Sequence, residues 1–151
     1  VTQKEREREV RKRLYQYASY LKEVRQYEED ILYGTPKHDE SGVRGTDISD
    51  PTGRAGVRLA NMPKDIEAKR AWVEAIDEAL VEMRELDDAH RLTYICTRVY
   101  GLDGRRHKRR VNRDMNIKIA DEVHLSISAL YLKLGMINKI VMYHATLRGL
   151  L

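Results

Sequence analysis

Apolar residues in the first fifth of the chain recur at Val10, Leu14, Tyr17, Leu21, Val24 and Ile31, at spacings of 4, 3, 4, 3 and 7. No glycine or proline interrupts residues 2–33. This stripe predicts one long amphipathic helix close to a heptad repeat. Glu28 falls where another apolar residue is due. The short run favours a helix packed on its own domain over a coiled coil that makes a homodimer.

A second periodic segment follows Pro63, which suits a helix start. Ile66, Val73, Ile76, Leu80, Met83 and Leu86 form its expected buried stripe, with Trp72 at the edge. Asp87 or Asp88 can cap a third helix whose apolar residues are Leu92, Ile95, Cys96 and Val99. Gly101 fits its C-terminal stop. The final segment, residues 135–151, is apolar on more than one face. It reads either as a long helix running into the core or as an interface with a partner. His144 within it reads as a packed side chain rather than a ligand.

Between these elements the pattern breaks. Residues 34–50 are rich in Gly, Pro, Ser, Thr and Asp and predict a mobile linker. His38, Asp39 and Glu40 are adjacent there but lack a second histidine, so a solvated loop is the better reading than a metal site. "ISDPTGRAGVRLAN" (residues 48–61) can open a helix, with Asp50 as N-cap and Pro51 in the first turn. Gly53 and Gly56 permit close backbone approach, and Arg54 and Arg58 share one face.

Charge sharpens the picture. The 151-residue chain carries a net charge of +4, unevenly spread. Residues 61–90 hold four Lys/Arg against nine Asp/Glu, whereas residues 101–118 hold seven against two. Six of those cations (Arg105, Arg106, Lys108, Arg109, Arg110 and Arg113) fall within nine residues. Such a block suits contact with phosphates. Cys96 is the only cysteine, which excludes an internal disulfide and a Cys-based zinc site. No apolar run approaches a membrane span and no signal-peptide pattern opens the chain, so a cytoplasmic protein without a membrane partner is expected.

The segment after the basic block, "IKIADEVHLSISALYLKL" (residues 117–134), has the parts of a helix-turn-helix. Ala120 is the small residue that lets two helices cross closely. Ile119, Val123, Leu125 and Leu130 can form the shared core, and Ser126 can cap the second helix. His124 stands where glycine is common at the turn. The outward positions of the second helix are Ile127, Ser128, Tyr131, Leu132 and Gly135. Lys133 stands where an apolar core residue is expected.

Taken together, these segments resemble the RinA-type phage late-gene transcriptional activators. They are also similar to the ArpU-type regulators, whose C-terminal half resembles region 4 of sigma factors. "LYQYASYLKEVRQYEEDILYGTP" (residues 14–36) looks like the family's N-terminal helix and its exit. "SDPTGRAGVRL" (49–59) looks like its central motif, "WVEAIDEALVEM" (72–83) like the next helix, and "IADEVHLSISALY" (119–131) like the helix-turn-helix. The resemblance implies an all-α protein: an N-terminal helix (1–33), a flexible linker (34–50) and a helical domain (51–151) ending in a helix-turn-helix at about 117–134.

It also implies a transcriptional activator that binds double-stranded DNA in a bacterial host cell, with RNA polymerase as a partner. The basic block would grip phosphates. Ser128 and Tyr131 would meet bases or phosphates, and Ile127 or Leu132 would meet thymine methyls. Lys118, Ser126 and Lys133 complete the expected DNA-facing set. The family's recognition helix usually carries several Arg or Lys, and bidentate reading of guanine needs them. This helix offers little of that, so weak sequence specificity is expected. Two rivals stand: a DNA-packaging component resembling a small terminase subunit, and an adaptor that binds only protein. No nucleotide-binding loop, nucleophile–base pair or carboxylate cluster suggests an enzyme, and no cofactor or metal is expected.

Overall fold

The computed structural model describes residues 1–33, 61–86, 91–105 and 113–151. The protein is all-α. Five helices, α1 (Gln3–Leu32), α2 (Lys64–Leu86), α3 (Arg91–Tyr100), α4 (Arg113–Glu122) and α5 (Ile127–Leu147), account for the described secondary structure. The 34–50 linker with its His38 cluster, the 48–60 motif, the Asp87 or Asp88 cap, and Arg106, Lys108, Arg109 and Arg110 lie outside the described residues.

Thr2 starts α1 with a reciprocal cap: its Oγ1 accepts from the Glu5 amide at 3.3 Å, and its own amide donates to Glu5 Oε2 at 2.7 Å. Val10, Leu14, Tyr17, Tyr20 and Val24 are buried, while Leu21 and Ile31 are half-buried. The stripe therefore sits slightly to one side of the expected one. It meets α2 and α5, which also pack on each other, and these three helices make the main core. The N-terminal helix is thus packed on its own domain. Helices α3 and α4 add to the core by packing against α5 and against each other.

Two expectations for α2 are corrected. Trp72 is buried at 4% exposure rather than lying at an edge. The Arg13 guanidinium lies 5.3 Å from its ring and is held by Glu9 at 2.6 Å and the Tyr20 hydroxyl at 2.6 Å. A paired cation that stacks on an indole shields it from water while keeping its own charge solvated. Leu86, expected inside, is 60% exposed. The buried face instead carries Ala75 and Ala79, small residues that admit close helix approach. Glu28, the odd residue in the α1 stripe, lies 3.9 Å from Arg70 of α2.

The apolar C-terminal segment is one helix. Leu130, Ile137, Val141 and Ala145 of α5 are fully buried. Its end is tied to α2 by charge: Arg148 bonds Glu74 at 2.8 Å and also bonds Glu78. His144 sits between Glu82 and Glu78, so it is a packed, bonded side chain as expected. Among the described residues no single helix is long and apolar enough to cross a membrane. The Cys96 thiol is buried and pushed up to about 12 by that burial, so it stays protonated and inert.

Leu14 has no exposed surface and lies where α1 meets the rest of the core. Leu14→Ala is expected to cost about 2–5 kcal/mol in urea unfolding, in a single transition. A loss well under 1 kcal/mol, or a separate early transition, would show that α1 is not part of the cooperative core.

Candidate nucleic-acid interface

The first helix of the pair, α4, begins at Arg113 with Asp114 in its first turn, where a carboxylate favours the helix dipole. Ile119 and Ala120 face inward and are buried. The helix ends when His124 adopts φ 57°, the left-handed region. The Leu125 amide then reaches back to the Ala120 carbonyl at 2.9 Å, and the Val123 amide bonds the Ile119 carbonyl at 3.1 Å. This is a Schellman-type stop with histidine in the place usually held by glycine. Leu125, the residue after it, is half-buried on the shared core. The same stop closes α3, where Gly101 has φ 66° and the Leu102 amide bonds the Thr97 carbonyl at 3.2 Å.

Ser126 then caps α5, its Oγ accepting from the Ala129 amide at 3.1 Å. The chain turns by 93° between α4 and α5. Val123 and Leu130 are buried beneath the turn. A short turn, a near-perpendicular crossing and a shared apolar core are the geometry of a helix-turn-helix. Its extent differs from the expected 117–134. α4 starts four residues earlier, and α5 runs on to Leu147 because no proline or second glycine interrupts it.

A polar clip fixes α4 from the α3 side. Arg98 bonds Glu122 through Nη2 at 3.0 Å and Nε at 3.2 Å, and the Tyr94 hydroxyl donates to the same carboxylate at 2.6 Å. Glu122 ends a helix, where the dipole disfavours an anion. The Arg98 bonds first, and then the Tyr94 bond, hold its carboxyl below the usual range. Sequence reasoning missed this clip. Three residues from two helices make it, and no local motif marks it.

The expected site residues divide. Arg113 and Lys118 are exposed on α4, and Ser128 and Tyr131 are exposed on α5, with Tyr131 at 50%. Leu132 is 73% exposed beside them. Ile127, expected outward, is half-buried and packs on the core. Ser126 is exposed as well, and its oxygen caps the helix. Lys133 is half-buried and sits two residues beyond Tyr131, which places it on the opposite side of α5. Arg105 is exposed and lies 3.4 Å from Asp103, which also accepts the Arg105 amide at 3.1 Å. Its four neighbours in the basic block fall outside the described residues.

No protein-family model, curated protein or solved structure matches the chain.

Two measurements check this geometry. A non-glycine residue in the left-handed region costs about 1 kcal/mol, so His124→Gly should raise unfolding stability by roughly that much. A loss of stability would mean that the turn is held differently. The lowered Glu122 pKa carries a definite sign. Its contribution is fully present above the ordinary value of 4.5 and is lost as the pH falls through its lower folded value. Glu122→Gln should therefore lose less stability than the parent protein between pH 7 and pH 3. Equal losses would remove the clip as a source of acid sensitivity.

Proposed function

We propose that the protein binds duplex DNA through α4 and α5 and acts as a transcriptional activator. The observation that carries this reading is the 93° helix pair, whose turn is closed by His124 and whose second helix leaves Ser128, Tyr131 and Leu132 exposed. Recognition helices of this kind put their N-terminal residues in the major groove, with phosphates gripped from the flanks. Arg113 and Lys118 on α4 are the flanking cations here. The α5 surface offers a hydroxyl, a phenol and apolar groups. It suits contact with thymine methyls and with DNA shape more than bidentate reading of guanine.

The late-gene role and the polymerase partner rest on the resemblance to RinA- and ArpU-type regulators. Helix α2 presents fewer free acids to such a partner than its composition suggests. Asp77 accepts from Tyr17, and Glu74, Glu78 and Glu82 bind Arg148 or His144. A second reading, the protein-only adaptor, is favoured by one feature. Leu132, Met136, Tyr143 and Leu147 are exposed at spacings of 4, 7 and 4 along the outer side of α5.

Fluorescence anisotropy across a salt series separates the two. A duplex selected by the protein from a random pool should bind more tightly than a scrambled one. Each neutralised phosphate should contribute about −0.9 to the log–log salt slope. Arg113→Gln with Lys118→Gln should flatten that slope, whereas Tyr131→Ala should narrow the difference between the two duplexes. No binding to either duplex at low salt would reject the reading in favour of the adaptor.

A further inference from the structure

One stripe on the exposed surface of α1 carries cations and no acid from Lys4 to Lys22. Lys4, Arg8, Arg11, Tyr15 and Lys22 follow one another at spacings of 4, 3, 4 and 7, the same rhythm as the buried stripe on the other side. All five are exposed. The face ends at Glu29, seven residues beyond Lys22.

On an ordinary solvated helix, cations alternate with carboxylates three or four residues away and pair with them. Here six of the seven carboxylates of α1 have other partners, and the seventh, Glu29, lies at the far end of the stripe. Glu5 caps the helix, Glu7 accepts from Gln3, Glu9 binds Arg13, and Asp30 accepts from Gln26. Glu23 and Glu28 reach across to Lys69 and Arg70 of α2. Lys4, Arg8, Arg11 and Lys22 form no ion pair among the described residues. Glu23, Glu28 and Asp30 lie toward α2, on a different side of α1 from the unpaired cations.

This face opens onto a cleft of about 420 Å³ lined by Tyr15, Ser19, Lys22, Tyr100, Gly101 and Arg105. Tyr15 and Tyr100 form its aromatic wall, edge to face at 4.9 Å. Burial raises both phenols, and Arg11 is close enough to act on each in the opposite direction. Arg105, at the rim, opens the basic block of the sequence. Tyr100 also donates to Asn138 of α5 at 3.1 Å. Asn138 is seven residues from Tyr131, so the two share one side of α5. The cleft thus lies toward the side of α5 that carries Tyr131.

We propose that this face of α1, with the Tyr15–Tyr100 cleft and Arg105, is a second DNA contact that follows the phosphate backbone of a duplex. It deepens the DNA-binding reading above and rests on it for the placement of the helix-turn-helix. From Lys4 to Lys22 the face runs about 27 Å, the axial rise of about eight phosphates of one strand. Lysine and arginine point charges supply affinity without reading sequence. The cleft takes one phosphate between Lys22 and Arg105, with Tyr15 against the sugar. A membrane surface fits less well. A helix lying on lipid needs a broad apolar side to insert, and the apolar side of α1 is buried in the core, which leaves mostly charged and polar residues exposed.

The test uses the full chain and a scrambled duplex, so that sequence preference plays no part. Arg8→Gln, Arg11→Gln and Lys22→Gln are combined, beside a charge-matched control of Lys64→Gln, Arg84→Gln and Arg91→Gln. All six positions are exposed, and thermal melting checks that both variants fold. The stripe variant should lose about 0.9 of salt slope per contact, up to ~2.7 in all, and tenfold or more in affinity near 0.1 M salt. The control should stay close to the parent. Equal slopes in the stripe variant and the control would overturn this proposal while leaving the helix-turn-helix reading to its own variants. A flattened slope in the stripe variant, with no effect of Arg113→Gln and Lys118→Gln, would support the stripe and overturn the helix-turn-helix. Binding of the parent to vesicles containing phosphatidylserine, with none to duplex, would overturn the proposal in favour of a membrane.

Discussion

The continuity of α5 is the constraint on which the rest of the fold depends. One helix of 21 residues runs the length of the core. Its N-terminal turns bury Leu130 with Ile119 and Val123 beneath the helix-turn-helix crossing, and farther along it buries Ile137, Val141 and Ala145. Both α1 and α2 pack on this helix. Because the backbone between the two ends is unbroken, α4, α1 and α2 are held in one frame. Any ligand seated on the first turns of α5 is therefore presented to α1 at a fixed distance.

That frame gives the polar contacts their roles. Arg148 and His144 bind the acids of α2 and fix the far end of α5. Arg98 and Tyr94 fix the last residue of α4. Between these anchors the turn at His124 holds an unfavourable backbone conformation without glycine's help, and Ser126 uses its hydroxyl on the cap. Such exposed ion pairs contribute little individually. Their effect is to choose one arrangement of helices among the several that a polar-surfaced bundle can adopt.

Much of this was legible in the sequence, and the failures are specific. Helices and their inward residues follow from period, so Val10, Leu14, Ile76, Met83, Ile95, Ile119 and Leu130 were readable. The turn parts Ala120, His124 and Ser126 were readable as well, because each has a local job. Trp72 and Leu86 were misread because their burial depends on what arrives from α1: a stacked Arg13 covers one, and nothing among the described residues covers the other. Ile127 was misplaced because it stands three residues before Leu130, on the same inward side of α5, and Lys133 joined the DNA-facing set although it stands on the half-buried side. The Arg98–Glu122–Tyr94 clip has no sequence signature, since its members only come together in the folded chain.

The cationic face of α1 was hidden for a different reason, which bears on how charge should be read in helical proteins. Residues 1–33 contain eight Lys/Arg and seven Asp/Glu, a balance that looks like a solvated helix surface. A regional sum discards direction. Once α2 is docked, Glu23 and Glu28 are drawn to Lys69 and Arg70, while Glu9 pairs with Arg13 within α1. Those pairs neutralise the flank that faces the protein and leave Arg8, Arg11 and Lys22 with no counter-charge on the other side. Folding thus converts a balanced segment into a directional one. The residues that stabilise the α1–α2 contact are the same ones that uncover the potential on the opposite face. A surface made this way exists only in the folded protein, and its field depends on α1 staying docked on α2.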